Sequence, residues 1–132
     1  MKKSTKIRLI IFEILIEIYN KDKSFDDLFE SKITNIKLNT EEKKSIFNIC
    51  LSTMRYNIHS KIILDKYAKK KLKTKQFILL ASAVTQMIYL NIKPYAVVND
   101  TVEVSKKIGL YPSFINGILK KIVNDIFNLK KI

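Results

Sequence analysis

Cysteine occurs once in this chain, at Cys50, and histidine once, at His59. A lone cysteine excludes an internal disulfide framework and any multi-cysteine metal site. It fits a reducing, cytoplasmic setting. A lone histidine leaves no material for a histidine metal cluster or a multi-histidine acid–base site. Glycine and proline number two each, too little turn chemistry for a many-stranded fold, which favours helices. No glycine-rich loop follows a strand, so nucleotide binding of the Rossmann or P-loop kind has no support. The apolar run FILLASAVTQMIYLNI has 16 residues, includes Thr85, Gln86 and Asn91, and is short for a membrane span. The opening MKKSTKIRLIIFEILIEIY starts basic and turns apolar, as a signal peptide does. Glu13 and Glu17 interrupt it, however, and no small-residue cleavage site follows. These absences describe a cytoplasmic chain with no cofactor, no metal, no membrane association and no catalytic set.

What is present is a core and a large positive charge. Hydrophobic residues make up 47%, and six Tyr, seven Phe and 22 Ile can fill an interior without any Trp. At 132 residues the length suits one domain, 1–132. The net charge is +13, carried by 23 Lys but only two Arg, Arg8 and Arg55. Such a charge points to a polyanion, nucleic acid first. It also has a compositional reading, because an AT-rich coding sequence enriches Lys, Ile and Asn together.

Hydrophobic spacing predicts about seven helices around a buried central one, an all-α bundle. Residues 5–19 carry Ile7, Ile10, Ile11, Ile14 and Ile18 on one stripe. Ser24 caps a second helix, with Asp26 and Asp27 near its positive end and Phe25, Leu28, Phe29 and Ile33 on its inner side. Thr40, followed by Glu41 and Glu42, opens a third, with Ile46, Phe47, Cys50, Leu51 and Met54 inward. A short fourth holds Ile62, Ile63 and Tyr67. Thr74 caps a fifth, residues 75–90, apolar nearly all round and therefore enclosed by the others. Pro94 starts a sixth and Gly109 ends it. Pro112 starts a seventh, whose inner face is Ile115, Ile118, Leu119, Ile122 and Ile126.

The basic residues are the functional signal that composition supplies. They fall into three groups: Lys2, Lys3, Lys6 and Arg8; the segment KYAKKKLKTK, with Lys66, Lys69, Lys70, Lys71, Lys73 and Lys75; and a later set of Lys106, Lys107, Lys120 and Lys121, with Lys130 and Lys131 beyond. Phosphate neutralisation needs several cations on one surface. With Arg55, the first two groups form the candidate nucleic-acid contacts, against the alternative of separate solvated faces. Tyr56 and Tyr67 lie near these cations and offer either base stacking or half-buried packing. Cys50, on an apolar stripe, reads as a small buried hydrophobe rather than a nucleophile.

The stretch PYAVVNDTVEVSKKIG, then SFINGILKKI, resembles the C-terminal half of the NusB-like domain, whose wording is close to P-x-x-x-V-N-E-x-V-E-x-A-K and then F/L-V-N-x-V-L-x-x-I. Pro94, Val98, Asn99, Val102, Glu103, Lys106, Asn116 and Leu119 fall on that pattern, while Asp100 replaces the usual Glu and Ser105 the usual Ala. The resemblance covers nearly all of the chain and implies an all-helical, RNA-associated, non-catalytic domain. It has two settings. One is the N-terminal domain of RsmB (Sun/Fmu-like) methyltransferases, which make 5-methylcytosine in 16S rRNA. The other is the stand-alone antitermination factor, which binds ribosomal leader RNA with a ribosomal protein. FNICLSTMRYNIHSKIILDKY looks like the methyltransferase branch, since Met54, Arg55 and Tyr56 match its G-x-L-R-aromatic turn, with Ser52 in place of the Gly. A C-terminal methyltransferase domain and S-adenosylmethionine would belong to that longer protein, not to these residues.

Asn99 and Asn116 are usual for the family but poor residues for a helix interior. Turned inward, their amides would satisfy open backbone groups beside them, and Gly117 would admit a neighbouring backbone. On this reading the pair specifies the fold rather than contacting RNA.

Overall fold

The computed structural model describes residues 1–20 and 23–131. Among them it is all helical: α1 (Lys3–Asn20), α2 (Phe25–Thr34), α3 (Thr40–Arg55), α4 (Asn57–Tyr67), α5 (Thr74–Val84), α6 (Pro94–Lys107), α7 (Pro112–Asn124) and α8 (Ile126–Lys130). The helical bundle expected from the spacing is therefore present. An eighth, short helix takes Ile126 out of the α7 stripe.

α5 is the centre. Every residue from Ile78 to Ile88 is buried, and α1, α3, α4, α6 and α7 all pack against it. Its end is not a plain α-helix. Thr85–Tyr89 forms a π turn, in which the Leu90 N–H donates to the Thr85 carbonyl at 3.1 Å and the Ile92 N–H to Gln86 at 2.9 Å. Asn91 then takes φ 54°, a conformation Asn tolerates better than most residues.

Helix ends follow local chemistry. The Ser24 hydroxyl accepts from the Asp27 N–H at 3.3 Å. For α3 the cap is Asn39, one residue before the expected Thr40. Its amide oxygen accepts from the Glu42 N–H at 2.8 Å, and Glu42 accepts in return from the Asn39 N–H at 2.9 Å, a reciprocal capping box. Thr74 is likewise the first residue of α5 rather than its cap. The Lys73 N–H before it is satisfied by Gln76 Oε1 at 2.9 Å. Pro94 and Pro112 open their helices. Gly109, at φ 78°, closes α6, with the Leu110 N–H reaching back to Ser105 at 2.9 Å in a Schellman arrangement.

The inner face of α3 is rotated from expectation. Ile46, Ile49, Cys50, Ser52 and Thr53 are buried, while Phe47 lies at the surface. Thr53 can be buried because its hydroxyl donates to the Ile49 carbonyl at 2.7 Å. Phe47 instead forms an aromatic cluster with Phe25 and Phe29, at centroid distances of 5.1 and 5.2 Å. Ile62 is exposed, and α4 buries Ser60, Ile63 and Leu64.

Polar side chains do cross the interior, but not the expected ones. Asn99 is exposed and Asn116 only half-buried, so neither satisfies an interior backbone group. The residue beside Asn99 does the internal bonding. Both Asp100 carboxylate oxygens are used: Thr5 Oγ1 donates to one at 2.7 Å and Arg8 Nη1 to the other at 2.9 Å. Arg8 Nε donates to Gln86 Oε1 at 2.9 Å, and Gln86 Nε2 donates to Ser82 at 3.1 Å. Among the described residues no buried side-chain polar atom lacks a partner. Gly117 also departs from expectation, because a Cβ built there meets nothing within 4 Å.

Candidate nucleic-acid interface

The fold distributes the candidate cations over three places. At the N-terminus, Lys3 pairs with Glu42 at 3.1 Å and Lys2 lies 3.8 Å from Asp100. Lys6 is exposed beside Lys3 and Lys37. Arg8 stands apart from this group. Its side chain is 13% exposed and bound to Asp100, itself 2% exposed. Burial lowers the Arg8 pKa and Asp100 raises it in opposition. The guanidinium thus joins α1 to α6 and to the π turn.

Arg55 is exposed at the end of α3. Next to it the Tyr56 ring stacks on Tyr89 at 4.1 Å, nearly parallel, with His59 edge-on to both at 6.1 Å. Tyr56 is thus half-buried packing with a partner in its own chain. α4 then separates Arg55 from the lysine segment. Its 11 residues span about 16 Å at 1.5 Å per residue.

The lysine segment lies in the connection from α4 to α5. Lys66 lies in the last turn of α4, and Lys69, Lys70, Lys71 and Lys73 follow the helix, all exposed. None of these, nor Arg55, forms an ion pair among the described residues. The α4–α7 packing brings part of this segment to α7 and makes a groove of about 490 Å³. One wall is Tyr67, Ala68, Lys69 and Lys70; the other is Ser113, Phe114, Gly117 and Lys121. Tyr67 fixes the first wall, since its hydroxyl donates to Asp125 Oδ2 at 2.8 Å. Desolvation first, and Asp125 second, raise the Tyr67 pKa.

The second and third basic groups therefore meet, at Lys69, Lys70 and Lys121. The α7 side of this groove was not among the candidate contacts. Its signal was present in the spacing: Ser113, Gly117 and Lys121 recur at i, i+4 and i+8, opposite the apolar face of α7. Asn99 and Asn116 line a different groove between α6 and α7, with Tyr95, Val98 and Lys120. Cys50 is buried, and burial pushes its thiol up to about 12, which keeps it protonated and inert. Among the described residues, no cluster of potential ligands could hold a metal ion, and no helix is long and apolar enough to cross a membrane.

A helical bundle with a lysine-lined groove defines a class, that of all-helical modules. The family model for NusB matches residues 5–124, and the chain belongs to the NusB family. Three solved structures share its fold. One is a complex of the antitermination factors NusB and NusE with double-stranded RNA, at 22% identity, covering 99% of this chain and 98% of that one, with a TM-score of 0.79. Another is T. maritima NusB, at 15% identity, 100% and 99% coverage and a TM-score of 0.81. The third is described as a plectonemic RNA supercoil, at 23% identity, 94% and 96% coverage and a TM-score of 0.83. No curated protein matches the sequence.

Proposed function

We propose that this chain is a non-catalytic RNA-binding domain that holds a single-stranded segment along the lysine connection and the groove between α4 and α7. The observation that carries the reading is the convergence of Lys69, Lys70 and Lys121 beside an exposed aromatic ring, Phe114, with no ion pair among the described residues. Cations held by their own carboxylates gain less from phosphate, because each such contact first costs an intramolecular pair. That discounts Lys2, Lys3 and Arg8 and favours Lys66, Lys69, Lys70, Lys71 and Lys73. Single strands suit the site, since unstacked bases pack on aromatic rings whereas duplex bases are hidden.

Two settings have support. Met54-Arg55-Tyr56, with Arg55 exposed, favours the N-terminal module of a 16S rRNA cytosine-5 methyltransferase. In that setting the domain would dock rRNA for a separate catalytic domain. A solved relative in complex with NusE and double-stranded RNA favours an antitermination factor that takes leader RNA together with a ribosomal protein. Both settings are cytoplasmic and leave the chemistry outside these residues.

The test is binding of a 16S rRNA fragment and a leader RNA by fluorescence anisotropy. Charge reversal of Lys69, Lys70 and Lys121 together should weaken binding at least about 100-fold, at roughly 1 kcal/mol per lost contact. An unchanged Kd would remove the groove from the proposal. Preference for the rRNA fragment selects the methyltransferase setting, and preference for the leader selects antitermination.

A further inference from the structure

Gly117 sits in the middle of α7 (Pro112–Asn124), where glycine is the least favourable residue after proline. Folds keep such a glycine for one of two internal reasons, a positive φ or a close backbone neighbour. Neither applies. Among the two glycines only Gly109 has positive φ, and a Cβ at Gly117 would meet nothing within 4 Å. Among the described residues, neither φ nor a close neighbour offsets the helix-propensity cost.

The space in front of Gly117 is not plain solvent. It is the groove bounded by Phe114 and Lys121 on the same helix and by Tyr67, Lys69 and Lys70 across from it. A missing Cβ lowers that floor by about the length of a C–C bond, ~1.5 Å, and bares the Cα hydrogens and the peptide edge. We infer that Gly117 is the point of closest approach for the sugar–phosphate backbone of single-stranded RNA, which lies directly on the α7 main chain between Lys70 and Lys121. This inference rests on the RNA-binding reading and deepens it. The charge around the floor selects the occupant, because three lysines without ion pairs among the described residues surround it and a phosphodiester is the matching anion. Phosphate oxygens can accept weak Cα–H contacts from glycine, a minor term that close approach makes available. The partly exposed Phe114 ring lies one helical turn away, placed to receive an adjacent base.

The experiment measures melting temperature and RNA affinity on the same preparations of wild type, Gly117→Ala and Gly117→Leu. The probes are a short fluorescein-labelled single-stranded RNA of mixed sequence and the same strand annealed to its complement. Gly117→Ala should raise the melting temperature by about 2–4 °C through helix propensity while weakening single-strand binding about fivefold or more. Gly117→Leu should keep the higher melting temperature and weaken binding further. The duplex should bind more weakly and respond little to either change. A stabilised variant with unchanged single-strand affinity would overturn the inference, as would a lowered melting temperature, which would mean an internal role for Gly117. Equal binding of duplex and single strand, both insensitive to Gly117, would overturn it as well. If wild type itself fails to bind the single strand, the RNA reading falls and this inference with it, a result visible before any variant is measured.

Discussion

Asp100 shows how much a single side chain can carry here. It is almost fully buried, it accepts from Thr5 and Arg8, and Lys2 lies beside it. Removing one member of a buried charged pair leaves the other without compensation, typically a loss of 3–5 kcal/mol. Arg8 keeps some solvent access, so Asp100→Ala should cost about 3 kcal/mol, read as a lower urea midpoint. Replacing Arg8 and Asp100 together by apolar residues should recover much of that loss. Asn116→Ala should behave oppositely. Asn116 is half-buried and bonds nothing among the described residues, and alanine is the better helix former, so its effect should stay within about 0.5 kcal/mol. The sequence marked the wrong polar residue of the adjacent pair. Asn99 drew notice as a poor helix former among apolar residues, while Asp100 read only as a mild replacement of the usual Glu. No local pattern reveals that Asp100 meets Arg8, because that partner lies 92 positions away.

At the scale of elements, the start of α3 offers a pH test. Glu42 has its pKa lowered, first by the hydrogen bond from the Asn39 N–H and further by Lys3. A carboxylate with a depressed folded-state pKa stabilises fully above its unfolded value, about 4.3 for Glu. That stabilisation disappears as pH falls through the lower folded-state value. Glu42→Gln should therefore lose stability relative to wild type at neutral pH, and the difference should vanish toward pH 2, in urea melts across that range. Helix ends were the most legible feature of this chain. Ser24, Pro94, Gly109 and Pro112 each act through chemistry local to their own turn. Asn39 and Lys73 were displaced from expectation by one residue, the usual uncertainty of a helix boundary. The rotated face of α3 and the π turn were hidden for another reason. Burial of Ser52 and Thr53 depends on what α3 packs against, and hydrophobic spacing does not record it.

At the scale of the molecule, charge separates the readings. Single-stranded binding changes with salt at a slope of about −0.7 per neutralised phosphate. Four or five contacts along residues 66–73 and Lys121 should give a slope of log K against log salt near −3. Each Lys→Gln change in the groove should flatten that slope by about 0.7. A slope near zero in wild type would return the +13 charge to composition. The candidate lysines of residues 66–73 were legible because they cluster in one short stretch of sequence. Their meeting with Lys121 was not, since it depends on the packing of α4 against α7.

The tie from Thr5 to Asp100 spans 95 positions, and α1 packs on α5 and α6 as well as on α2 and α3. Of the described helices α1 is made before the others, yet its lining is among the last to be completed. At about 5–20 residues per second, Ile11 and Ile14, both fully buried in the finished molecule, wait roughly 5–20 s for the rest of their lining. Through that interval the nascent chain shows an oily α1 stripe that a chaperone, or another nascent copy, can reach.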